Sequence, residues 1–97
     1  MKKSLLFLQS RAPLDAGPEA FDLALTAAAF DHEVHLVLAD DGVFWLRAGL
    51  PELVAEAVEQ ILWERESLTE RGLSAPTEIT REELAKLIAA SDVVVTG

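Results

Sequence analysis

Residues 51–71, PELVAEAVEQILWERESLTER, decide how the chain folds. Leu53, Val54, Ala57, Val58, Ile61 and Leu62 recur at helical spacing, and the intervening Glu and Ala residues favour helix. On pattern alone the stretch draws as one long helix. The same letters also hold Ile61-Leu62-Trp63, a short apolar run that reads as a buried strand within Gln60–Arg65. Periodicity does not choose between them.

The flanking sequence alternates strands and helices. Leu5-Leu6-Phe7-Leu8 is a continuous apolar run, the pattern of a strand buried on both faces. Gln9–Gly17, with Pro13 and Gly17, reads as a loop. Pro18 and Glu19 suit a helix start, and the helix is expected to run to about Phe30. Its polar stripe is only Glu19, Asp22 and Thr26. Phe21, Ala24, Leu25 and Ala28 lie on one side of it, with Leu23, Ala27 and Phe30 beside them. A surface helix needs one apolar stripe, so this width predicts contact with something besides its own sheet. Val34–Leu38 is a second buried strand, closed by the turn signal Asp40-Asp41-Gly42 and followed by the bulky run Val43-Phe44-Trp45-Leu46. Thr80 and Glu83 form a capping box for a helix with Leu84, Leu87, Ile88 and Ala85 inward; Ser91-Asp92 break it before a last strand, Val93–Thr96. The alternation predicts an α/β fold with a largely parallel sheet.

At 97 residues the chain is expected to form a single domain, 1–97, small enough to gain stability by association. Eight Lys and Arg against seventeen Asp and Glu give a net charge of −9, and the cations are scattered. That balance opposes direct binding to nucleic acid or to an anionic membrane. Cysteine is absent, which removes disulfides, thiolate metal sites and a Cys nucleophile. The apolar run after Met1-Lys2-Lys3 is too short for a signal peptide, and a cytoplasmic location is expected.

Few residues carry chemistry. Asp40-Asp41 sits where open α/β sheets place ligands, but the acceptor Asp and the Lys of a phosphoryl-acceptor site have no counterparts, so the pair reads as a turn. His32 and His35, at the entry to a strand, fall on opposite faces and predict no shared metal. There is no Gly-rich phosphate loop, and no serine lies in a nucleophile elbow. Ser10 could face a cleft with Asp40, Asp41 and Gly42, though no His can be assigned as its base. The carboxylates Glu52, Glu56, Glu59 and Glu64–Glu70 read as a solvated face. Trp63 reads as core and Trp45 as partly exposed. No cofactor, metal or catalytic constellation is predicted.

Taken together, Ser10-Arg11-Ala12-Pro13 after the first strand, the alanine-rich helix, Asp41-Gly42-Val43-Phe44 after the second strand, and Leu68-Thr69-Glu70-Arg71-Gly72-Leu73 resemble the DsrE/DsrF/DsrH family of sulfur-relay proteins, including its Tus branch. The resemblance spans nearly the whole chain, with a shorter connection after Gly42, and leaves the DsrF-like and DsrH-like branches open. It implies a small α/β sandwich with a mostly parallel central sheet and helices on both faces. It also implies a strand over Gln60–Arg65 leading into a short helix, Ser67–Arg71. In sulfur-carrying members a Cys lies eight residues before the Gly of the Arg-Gly motif; counting back from Gly72 gives Glu64. The resemblance therefore implies a non-catalytic member of a relay serving tRNA 2-thiouridine formation or sulfur oxidation. Such a member would be a homo-oligomer or bind a Cys-bearing DsrE-like partner, through surfaces expected to include Phe21, Leu25, Phe44 and Trp45. The competing expectation is a stand-alone small-ligand or anion-binding module, its site at the carboxyl edge of the sheet.

Overall fold

Continuous apolar runs, whose successive side chains point to opposite faces, build the sheet. The computed structural model describes residues 2–17 and 19–97. Strand β1 (Ser4–Gln9) sends Phe7 to one face and Leu6 to the other; β2 (Glu33–Leu38) sends Val34, Leu36 and Leu38 to the first face and Val37 to the second. With β3 (Gln60–Glu64), β4 (Glu78–Ile79) and β5 (Val93–Thr96) they form a five-stranded sheet, ordered β4-β3-β2-β1-β5, in which every pairing is parallel. Parallel neighbours need crossover connections, which the helices supply.

The first face carries α1 (Asp22–Ala29), α2 (Trp45–Ala48), α3 (Glu52–Ala57) and α4 (Arg65–Glu70). Phe21, Ala24, Ala27, Val54 and Leu68 from this layer pack on Phe7, Leu36, Leu38 and Trp63. The second face is covered by α5 (Arg81–Ala90), whose Leu84 packs with Leu6, Val37 and Ile79. The chain steps from β1 to β4 in one direction. Helix α5 then crosses back to β5 on the far side of β1. Reversing direction while keeping right-handed crossovers requires the opposite face, so α5 lies alone there.

Residues 51–71 are therefore not one helix. Helix α3 ends at Ala57, Val58 is extended (φ −99°, ψ 114°), and β3 follows. Leu36, Val37 and Leu38 of β2 pair with Ile61, Leu62 and Trp63, while Trp63 and Glu64 pair with Glu78 and Ile79. Local propensity favours helix, but a central strand buries Trp63 to 5% exposure and gives its backbone a partner on either side. The strand implied by the family resemblance is present, and its helix starts two residues earlier, at Arg65.

Three helix expectations are corrected. Helix α1 begins at Asp22, with Glu19–Phe21 in turns; the proposed start at Pro18 lies outside the described residues. Its wide apolar surface splits: Phe21, Ala24 and Ala27 are buried, Leu25 and Ala28 half-buried, and Leu23 and Phe30 are 63% and 74% exposed. In α5 the capping box of Thr80 and Glu83 forms, but the inward stripe is only Leu84 and Leu87, with Ala85 and Ile88 facing out. The Asp40-Asp41-Gly42 turn opens a 3₁₀ helix, Asp40–Phe44, that runs into α2.

Candidate functional site at the carboxyl edge

Open α/β sheets place ligands beyond the carboxyl ends of their strands. At the end of β3 the backbone of Glu64 is still extended when α4 begins, which turns its carboxylate inward beneath the first turn. Glu64 is 5% exposed. The Ser67 hydroxyl, fully buried, donates to Glu64 Oε1 at 2.5 Å and accepts the Asp40 N–H at 2.8 Å. One hydroxyl thus joins the end of β3 to the loop after β2, where Asp40 adopts a φ of +50°.

Arg81 closes the corner from the start of α5. Its Nε donates to Glu64 Oε1 at 3.1 Å, its Nη2 lies 3.5 Å from Glu70 Oε1, and its backbone N–H donates to both Glu66 oxygens. The hydrogen bond and charge of Glu64, then the charges of Glu70 and Glu66, hold its guanidinium protonated beyond even the ordinary arginine range. Arg71 builds a second layer. It donates to Asp41 Oδ1 from Nη2 at 3.0 Å and to the Ser67 carbonyl at 3.1 Å, with its guanidinium carbon 5.9 Å from the centre of the Phe44 ring.

The expectation of a solvated face is therefore wrong for Glu64, which is caged. Its cation is Arg81; Arg65, adjacent in sequence, turns away to Glu78 at 2.9 Å. A buried carboxylate costs desolvation unless paired and hydrogen-bonded, and here both conditions are met. The arrangement has no thiol and no free nucleophile. It fixes the geometry where β2, β3 and α5 converge.

The cleft expected of Ser10, Asp40, Asp41 and Gly42 is not assembled. Asp40 and Asp41 join the Glu64 corner, whereas the Ser10 hydroxyl donates to the Gly97 carbonyl at 2.8 Å beside β5. Gly42 separates them, packed so closely that a Cβ there would lie 2.1 Å from the Gln9 carbonyl oxygen. Of the expected interface residues, Phe21 is core, meeting Trp45 edge-to-face at 4.9 Å. Trp45 and Phe44 are half-buried, and the Trp45 indole N–H donates to the Arg11 carbonyl at 3.2 Å. The histidines stay apart: His32 Nδ1 accepts the Lys3 N–H in the turn before β2, while His35 lies inside the strand.

Sequence reasoning missed Ser67 and Arg81. The only local signals were Ser67 three residues after Glu64 and Arg81 directly following the Thr80 cap. A separate cleft, of about 180 Å³, opens at the carboxyl ends of β1 and β5 and is lined by Gln9, Arg11 and Thr96 among others.

A parallel α/β sheet with a short helix directly after β3 and the Arg71-Gly72 turn beyond it defines the class of protein. The chain matches the DsrE/DsrF-like family over residues 2–96 and belongs to that family. A curated relative, the Protein TusC homolog of Pseudomonas aeruginosa, is 34% identical over 91 aligned residues, covering 76% of each chain.

Proposed function

We propose that this chain is a non-carrier subunit of a cytoplasmic sulfur-relay assembly, on the DsrF-like side of the family and folded as one domain, acting by protein–protein contact. One observation supports the reading: Glu64, the position that counting back from the Arg71-Gly72 motif implies for a relay cysteine, is a carboxylate caged between Ser67 and Arg81. A carboxylate forms no persulfide, and no residue of the given chain is a cysteine. The relative named as a TusC homolog supports the same placement. The pathway served is tRNA thiolation or sulfur oxidation, and the partner is a Cys-bearing DsrE-like protein or further copies of this chain.

The contact surface follows from what the core leaves out. Leu23 on α1, Phe30 just past its end and Leu53 on α3 are each more than 60% exposed, and the two helices pack together over the same face of the sheet. Leu23 and Phe30 belong to the excess apolar width expected of the first helix, and Leu53 extends it from α3.

The test has two arms. Incubation of the wild type with a cysteine desulfurase and cysteine should leave its mass unchanged, whereas a +32 Da adduct would refute the non-carrier role. Sedimentation, alone and with a Cys-bearing DsrE-like protein, should show an assembly that Phe30→Asp or Leu53→Asp dissociates without unfolding. A monomer that ignores that partner would refute action by contact.

A further inference from the structure

The net charge of −9 is unevenly placed. Between Arg11 and Arg65 the sequence holds eleven Asp and Glu against one cation, Arg47, whereas the other residues hold six carboxylates against seven cations. That acidic stretch contains α1 and α3, neither of which carries a Lys or Arg. Each exposed apolar residue of their shared face has a carboxylate next to it in the chain: Asp22 precedes Leu23, Asp31 follows Phe30, and Glu52 precedes Leu53. Glu56 lies one helical turn beyond Leu53, on the same side of α3. All four carboxylates are exposed, and among the described residues none makes an ion pair.

Elsewhere the fold uses its carboxylates. Glu64, Glu78 and Asp41 pair with arginines, and Glu66, Glu83 and Asp92 accept backbone N–H groups. The α1–α3 face is different: its charges are idle and they border its idle apolar surface. The field strengthens at the carboxyl ends of both helices. A recess of about 260 Å³ opens there beside Ala28 and Ala57, walled by Asp31, Glu33 and Glu59, with Lys2 its only Lys or Arg among the described residues. The last turn of α1 has no basic residue to offset its carbonyl ends.

An apolar patch rimmed by polar groups marks a contact site, and the sign of the rim selects what fits it. A second copy of this chain, docked through the same face, would cover the patch but set Asp22, Glu52 and Glu56 against their like. An anionic membrane meets the same repulsion. A cationic rim satisfies both the apolar surface and the charge. Resting on the reading of this chain as a contact subunit, we propose that the α1–α3 face docks a different protein, one whose apolar surface is rimmed by Lys and Arg.

The probes are three synthetic helical peptides with one shared Leu and Phe stripe, flanked by Lys, by Gln or by Glu, titrated into the ¹⁵N-labelled chain. The Lys peptide should shift the backbone amides of α1 and α3 saturably. At about 50 mM salt it should bind roughly tenfold more tightly than the Gln peptide, and at about 500 mM most of that difference should vanish, because the charges are exposed. The Glu peptide should be the weakest. Replacing Glu52 and Glu56 together by Gln should weaken the Lys peptide about fivefold and leave the Gln peptide unchanged. Phe30→Ala, at a side chain 74% exposed, should weaken both about tenfold. Helix α5 is the control for charge attraction alone, since Glu82 and Ile88 are exposed on the other face of the sheet. Equal binding of the Lys and Gln peptides, α5 amides that move as far as those of α1 and α3, or no shift with any peptide would overturn the proposal. A homodimer in sedimentation that Phe30→Asp dissociates would also overturn it, while action by contact would survive. A persulfide on the wild type would instead refute the non-carrier role, whereas the preference for the Lys peptide would still support this docking chemistry.

Discussion

Replacing Ser67 by Ala removes one oxygen atom and two hydrogen bonds. The hydroxyl donates to a carboxylate that is 5% exposed, a bond to a charged group worth about 1.5–3 kcal/mol net. It also accepts the Asp40 N–H, worth about 1 kcal/mol. Arg81 remains on Glu64 Oε1 and Asp40 is solvent-exposed, so neither partner is stranded completely and the lower part of the range applies. The expected loss is about 3 kcal/mol, or roughly 15 °C in Tm for a domain of this size. Urea unfolding at fixed protein concentration, followed by the fluorescence of Trp45 and Trp63, measures it, and the m-value should not change. A second background isolates the cause. In Glu64→Gln the acceptor is a neutral amide, so Ser67→Ala should cost only about 1–2 kcal/mol there. A loss below about 1 kcal/mol in the wild-type background, or an equal loss in both, would refute the caged-carboxylate account.

Gly42→Ala places a Cβ 2.1 Å from a backbone oxygen that cannot move without breaking its bond to the Ala39 N–H, so it should cost about 2–3 kcal/mol or more, read as a lower urea midpoint. A Cys at position 64 inherits a buried site, so Glu64→Cys should react with a disulfide reagent at neutral pH at least about tenfold more slowly than Ser74→Cys on the surface; equal rates would show the corner to be open. The Thr80 backbone and side-chain hydrogen bonds hold the Glu83 carboxyl below its ordinary range. A depressed carboxylate contributes stability above its unfolded pKa and loses it as pH falls through the folded value. Protection factors at the start of α5, taken relative to the unstructured exchange rate at the same pH, should therefore be full above the ordinary glutamate range and fall as the pH drops below it, and Glu83→Gln should abolish that fall.

Elements whose signals are local were legible in the sequence. β1, β2 and β5 are apolar runs with turn residues at their ends, and Thr80 with Glu83 satisfies the first turn of α5 within four residues. Residues 51–71 were not legible, because two periods overlap there. The arbiter is the pair of strands β2 and β4, which lie far away in sequence. Burial went the same way: Phe21, Leu23, Ala24 and Phe30 look alike along α1 and its two ends, and only the position of the sheet decides that two are core and two are exposed.

The Glu64 corner shows why site geometry is harder to read than the fold. The Arg-Gly motif locates position 64 by counting, but counting gives neither burial nor partners. The carboxylate's cation comes from seventeen residues away, across β4, while the adjacent Arg65 is committed to Glu78. A sequence rich in Glu therefore reads as an acidic, solvated stretch when its central member is the least solvated. The chemistry follows from that difference. A relay thiol must be exposed enough to meet a donor and an acceptor in turn, whereas Glu64 spends its oxygen on Ser67 and Arg81 and thereby ties β3, the loop after β2 and α5 into one unit. Held by these hydrogen bonds, the corner is a fixed junction of β3, the loop after β2 and the start of α5.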